Sequence, residues 1–178
     1  LQQGREPVLD PLFVEALRLN LSEISEGDRH PGTSSRRALL AQMLTMPSEN
    51  TLALDMEVVD PDNLFLARRF VRAELARRLA TEFRRCYAGD QEKDAGASGV
   101  PPAYALTPAA MGRRSLKNVC LSSLVDADPL PPEDLELAVR QYRQKANMTD
   151  VMAALGALVH CPAEPARQEV LADFYGQW

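Results

Sequence analysis

The sequence predicts an all-α fold of stacked antiparallel helical hairpins, the α-solenoid type, and three observations lead to it. Helix-start signals recur along the whole chain. Between them apolar residues return every three or four positions, and no strand pattern of comparable length competes. The links between successive segments are short, which favours antiparallel neighbours packed as hairpins.

Asp10-Pro11 opens the first helix, with Asp as the cap and Pro at a position whose N–H would have no helical partner. Phe13, Val14, Leu17 and Leu21 follow as one apolar stripe. Ser34 is placed to cap a second helix carrying Leu39, Leu40, Met43 and Leu44. That helix must stop before Pro47, because an internal proline loses a donor and clashes with the preceding turn. Ser48 starts a short third helix.

Asp60-Pro61 launches the longest pattern, in which Leu64, Ala67, Val71, Leu75, Leu79, Phe83 and Tyr87 share a face over about seven turns. From Gly89 to Leu106 the chain becomes aperiodic and rich in Gly, Ala, Ser, Asp and Pro, so residues 89–106 are expected to form an exposed, flexible loop. Order resumes at Thr107-Pro108. Four further helices are expected at about 107–126, 131–146, 148–160 and 164–177. Asp128-Pro129, Pro131-Pro132, Cys161-Pro162 and Glu164-Pro165 mark the breaks. Asn147, with Asp150 three residues on, is an acidic variant of the capping box. Val151 to Val159 is apolar almost all round and predicts a helix buried on every side. The expected class is an armadillo- or HEAT-like α-solenoid, although no fixed repeat length is found and regular repeats are not established by the sequence.

With 178 residues, 46% hydrophobic and 25% charged, the chain has the composition of one globular unit, residues 1–178. It starts at Leu1 and ends at Trp178 within an amphipathic pattern, and is therefore expected to be a fragment of a larger domain, with a tendency to self-associate through an apolar surface near its last two helices. No run approaches the roughly 20 apolar residues of a membrane span. A net charge of −5 and a pI near 5.1 give no bulk attraction to nucleic acid or to an anionic membrane surface. Cys86, Cys120 and Cys161 lack C-x-x-C spacing and read as reduced, mostly buried thiols in a cytoplasm-like compartment.

A search for catalytic groups yields none. His30 and His160 are the two histidines, whereas a zinc-peptidase helix needs two imidazoles one turn apart in H-E-x-x-H. His160 beside Cys161 has no partner cluster with ligand spacing, and a histidine at a helix end also suits the C-terminal dipole. There is no G-x-S-x-G, no base evident for Cys120, and no phosphate-binding glycine loop. Arg68, Arg69, Arg72, Arg77, Arg78, Arg84 and Arg85 spread around the circumference of the long helix, as on a solvated surface with local ion pairs. Arg68 and Arg72 differ. Helical geometry sets them beside or within the apolar stripe, where their heads need partners or a wet cavity. No catalytic, cofactor-binding or metal-binding residue is assigned.

Five stretches in order carry a resemblance: LTMPSEN (Leu44 to Asn50), VVDPDNL (Val58 to Leu64), GRRSLKNVCL (Gly112 to Leu121), QYRQKANMTDVMAAL (Gln141 to Leu155) and DFYGQW (Asp173 to Trp178). Together they resemble the first half of the C-terminal helical domain of the bacterial-type aminopeptidase N family, the zinc alanyl aminopeptidases. The resemblance implies an α-solenoid packed over a thermolysin-like catalytic domain, capping it and restricting access to short peptides. It further implies that the zinc, its ligands, the glutamate base and the segment holding the substrate amino group all lie outside this chain, which alone would be inactive. The loops around Glu26 to Thr33 and Gly89 to Leu106 depart from the family pattern. Peptide substrates would meet the parent enzyme, expected in the cytoplasm, while this segment would pack intramolecularly on the missing domains. The alternative is a stand-alone α-solenoid scaffold whose concave face binds a protein or peptide.

Overall fold

The structure is a computed structural model that describes residues 6–25, 33–95 and 104–177. Among the described residues it contains eight α-helices and no strand: α1 (Pro11–Ser25), α2 (Thr33–Leu44), α3 (Glu49–Ala53), α4 (Pro61–Ala95), α5 (Pro108–Val125), α6 (Pro132–Gln144), α7 (Met148–His160) and α8 (Glu164–Gln177). The last four agree with the expected bounds to within two residues at each end.

Capping chemistry sets most of the starts. Asp10 Oδ1 accepts from Leu12 N at 2.8 Å, Ser48 Oγ from Thr51 N at 3.2 Å and Asp60 Oδ1 from Asn63 N at 3.1 Å. Thr107 Oγ1 accepts from Ala110 N at 3.3 Å, and Asn147 Oδ1 from Asp150 N at 2.9 Å. Each bond gives a partner to a helix N–H that has none inside the helix. The second helix is a correction: α2 begins at Thr33, so Ser34 stands inside its first turn rather than at the N-cap position.

α5 is the centre of the packing, meeting α2, α4, α6 and α7, while α1 lies against α4 and α8 against α7 and α6. α6 and α7 are joined by three residues and form a helical hairpin, and the C-cap of α6, Lys145, takes the left-handed conformation (φ 48°) that turns the chain back. Leu116, Leu121 and Leu124 of α5 join Leu79 and Phe83 of α4, Leu21 of α1 and Leu158 of α7 in one core, all at 0% exposure. Full burial of each such side chain contributes about 1.5–3 kcal/mol.

Several faces differ from expectation. On α1, Val14, Leu17 and Leu21 are buried, but Phe13 is exposed and Ile24 takes the remaining core place. On α2, Leu40 and Leu44 are buried while Leu39 and Met43, one turn apart, face out together. α7 is not buried on every side: Met148, Met152 and Gly156, spaced by four, form an exposed strip opposite Asp150, Ala154 and Ala157. Exposed apolar side chains are found on α8 (Tyr175) as well, yet more of them lie between Val8 and Leu66 than on the last two helices.

α4 runs to Ala95, well into the expected loop of 89–106, and residues 96–103 lie outside the described residues. Tyr104 and Ala105 are tied down: Arg114 stacks 4.2 Å over the Tyr104 ring and donates to Ala105 O at 2.7 Å, and Tyr104 Oη lies 3.0 Å from Thr149 Oγ1.

The long helix also breaks within itself. Leu79 leaves helical geometry (φ −116°, ψ 15°), and the neighbouring Arg78 carbonyl accepts from Arg18 Nη2 of α1 at 3.0 Å. The same guanidinium reaches Glu82 Oε1 at 2.7 Å, so one side chain from α1 bonds both sides of the break. Sharp kinks commonly arise where a side chain inserts into the helical ladder, and Arg18 occupies that place.

Candidate functional site

The polar side chains of this domain divide into a buried network and an open cleft. In the network, Lys117 of α5 and Asp150 of α7 form an ion pair at 2.7 Å, each side chain only 5% exposed. Asn118 Nδ2 donates to the other Asp150 oxygen at 2.9 Å, and Asn147 Nδ2 to Oδ2 at 2.9 Å. From α6, Gln141 Nε2 bonds Asn118 Oδ1 at 2.8 Å and the Asp150 backbone carbonyl at 3.0 Å. Asp150 thus joins three helices, α5 through its carboxylate and α6 through its backbone carbonyl, and that carboxylate also sits in the first turn of α7, where the helix dipole favours negative charge.

A second joint lies between α6 and α8. Tyr142 Oη donates to Asp173 Oδ2 at 2.8 Å and approaches Val170 O at 3.3 Å. Burial, reinforced by the bond to Asp173 and its charge, pushes the Tyr142 phenol up to about 12. The Tyr142 bond in turn holds Asp173 below the usual carboxylate range, with Lys145 adding to the effect. Raising the folded-state value stabilises the fold fully below the ordinary phenol value of 10.0, and that contribution is lost as pH rises towards 12. An absorbance titration of the phenolates is therefore expected to show one tyrosine ionising near pH 12, a step absent in Tyr142→Phe. If the titration of Tyr142→Phe loses no step near pH 12, the assignment is wrong.

The cleft is where Arg68 and Arg72 lie. Its volume is about 260 Å³, and it is lined by the end of α2 and the residues after it (Leu44, Thr45, Met46), the first half of α4 (Arg68, Arg72, Leu75), the last turns of α5 (Val119, Ser122, Ser123) and Asp126. Both arginines have carboxylate partners: Arg68 Nη1 pairs with Glu49 of α3, and Arg72 Nε meets Asp126 Oδ2 at 2.7 Å. Burial raises the Asp126 carboxyl, while Arg72 foremost, then His160 and Arg68, oppose the rise. Angular position had marked these two arginines; their partners come from distant segments.

Comparison with known proteins puts this geometry in a family. The profile of the domain of unknown function DUF3458_C, described as ARM repeats, matches residues 2–178. The chain belongs to this ARM-repeat family. It is 30% identical over 177 residues to aminopeptidase N of Haemophilus influenzae, covering 99% of this chain and 18% of that protein. It is 33% identical over 141 residues to aminopeptidase N of Caulobacter vibrioides and 28% identical over 141 residues to that of Escherichia coli, covering in each case 79% of this chain and 15% of the relative. The chain thus spans less than a fifth of the length of these relatives. The all-helical ARM-repeat fold and the resemblance to the C-terminal domain of aminopeptidase N both stand.

The stretches that carry the likeness meet in space. Lys117 and Asn118 belong to GRRSLKNVCL, Gln141, Tyr142, Asn147 and Asp150 to QYRQKANMTDVMAAL, and Asp173 to DFYGQW, so both joints tie these stretches together. LTMPSEN supplies Glu49 to Arg68 and lines the cleft, and VVDPDNL supplies the Asp60 cap. Lys117 was missed in the sequence. The signal was present, because Lys117 stands one turn before Leu121 and two before Leu124 on the core face of α5.

The zinc of the resembled family does not fit these side chains. Among the described residues no three His, Cys, Asp or Glu side chains converge. His160 is exposed at the end of α7, and Cys161 is buried with its Sγ 3.8 Å from Ala163 O. His30 lies outside the described residues. All three cysteines are buried and form no disulfide among the described residues, and no described helix is long and apolar enough to cross a membrane.

Proposed function

We propose that this chain is the ARM-repeat segment of a zinc-dependent aminopeptidase that removes N-terminal residues from peptides. The segment, one helical domain over residues 1–178, supplies no catalytic or zinc-binding side chain. It covers the catalytic domain and restricts which substrates reach it. The observation that carries the reading is the end-to-end match to the ARM-repeat family together with relatives named aminopeptidase N, of which this chain spans at most 18%. The use of Lys117, Asp150, Tyr142 and Asp173 as joints between helices supports a scaffolding role for the stretches that carry the resemblance. Three buried cysteines, none in a disulfide among the described residues, support a reducing, cytoplasmic setting.

The purified chain is expected to hydrolyse no aminoacyl chromogenic substrate and to hold no stoichiometric zinc by elemental analysis. Metal-dependent turnover by the pure chain would overturn the assignment of chemistry to another part of the polypeptide. For the intact protein, short peptides are expected to be cleaved and folded proteins with accessible N-termini spared. Equal cleavage of both would remove the access role.

A further inference from the structure

We propose that the cleft between α2, α4 and α5 is a binding site for a small monocarboxylate with an apolar tail, its carboxylate held by Arg68 and Arg72. This does not depend on the peptidase reading. A guanidinium presents five N–H donors in a planar fork that matches a carboxylate. Arg68 spends Nη1 on Glu49, and its Nη2 makes no bond among the described residues. That nitrogen keeps N–H donors for an acceptor. One turn along, Arg72 uses Nε on Asp126, and the opposite edge of its fork makes no bond among the described residues. Ser122 and Ser123 bring hydroxyls to the same space, and Leu44, Leu75 and Val119 give it an apolar wall.

The charges select the ligand. Arg68 and Arg72 are balanced by Glu49 and Asp126, so the cleft is near neutral before anything enters. One added negative charge can be shared between two guanidinium forks, but a phosphate, close to two charges at neutral pH, meets both fixed carboxylates as well. A neutral amide gains no charge-assisted bond. The volume of about 260 Å³ is several times the ~30 Å³ share of one water molecule, which leaves room for a short branched tail against the apolar wall.

The test is an NMR titration of the arginine Nε–H resonances of the 178-residue chain, with 3-methylbutanoate, its amide, acetate and inorganic phosphate as probes. Saturable shifts at Arg68 and Arg72 are expected with 3-methylbutanoate. Binding of the amide or of phosphate is expected to be at least about tenfold weaker, and acetate intermediate. Arg68→Met should abolish the shifts. Glu49→Gln, at a half-exposed position that leaves the fold undisturbed, removes a competing carboxylate and should tighten binding about threefold. The proposal is overturned by no saturable shift at tens of millimolar 3-methylbutanoate, by equal binding of the amide or of phosphate, or by unchanged affinity in Glu49→Gln. The last result decides the matter even if Arg68→Met fails to fold.

Discussion

Lys117→Ala is expected to destabilise the fold by about 3–5 kcal/mol, because it leaves Asp150 ionised and buried with no cation beside it. For a chain of this size each kcal/mol moves the melting temperature by about 2–4 °C, so a fall of about 6–20 °C should appear in a thermal melt. Asp150 cannot escape to solvent, since its carboxylate is also held by Asn118 and Asn147 and its backbone carbonyl by Gln141. Those amides soften the effect but carry no full charge. Asp150→Asn should cost less than Lys117→Ala: it keeps a short polar side chain in the first turn of α7 and leaves the ammonium, on its longer stem, freer to find water. A double-mutant cycle should return a coupling of about 2 kcal/mol or more for this pair in contact. A loss below about 1 kcal/mol for Lys117→Ala would mean that the joint is wet and that α5 and α7 are held by apolar packing alone.

This joint also shows what could be read from one dimension and what could not. The helix starts were legible because a cap is local: Asp10, Ser48, Asp60, Thr107 and Asn147 each bond an N–H two or three residues away. Angular arithmetic likewise marked Arg68 and Arg72 as charges beside an apolar stripe. It could not find Glu49 or Asp126, 19 and 54 residues distant, since nothing local encodes a tertiary partner. Applied to α5, the same arithmetic would have marked Lys117. Periodicity erred where a helix offers more apolar residues than one face can bury, as with Phe13, Met43 and Met152, because burial is decided by the neighbour's position. The aperiodic composition after Gly89 predicts a loop, yet Gln91, Glu92, Lys93 and Ala95 are good helix formers and α4 runs to Ala95, so local propensity outweighs composition there.

The break in α4 supplies the other large expected effect. Arg18→Ala removes the donors that reach both the Arg78 carbonyl and Glu82 Oε1. Glu82 is 8% exposed, and its Oε2 already has no partner among the described residues, so the variant leaves a nearly buried carboxylate without its cation. The full penalty for a broken buried pair is about 3–5 kcal/mol. Arg18 itself is about a third exposed and water can replace part of its role, so a loss of about 2–3 kcal/mol is expected. The test separates charge from geometry. Arg18→Ala with Glu82→Gln should recover at least half of the loss, because the neutral amide is easier to bury than an unpaired carboxylate. Hydrogen exchange in the double variant should still be faster at the amides around Leu79 than in the parent chain, since the Arg78 carbonyl remains without the Arg18 guanidinium. Slow exchange there together with full recovery of stability would mean that the break is set by the packing of Leu79 and Phe83 in the core, and that Arg18 only decorates it.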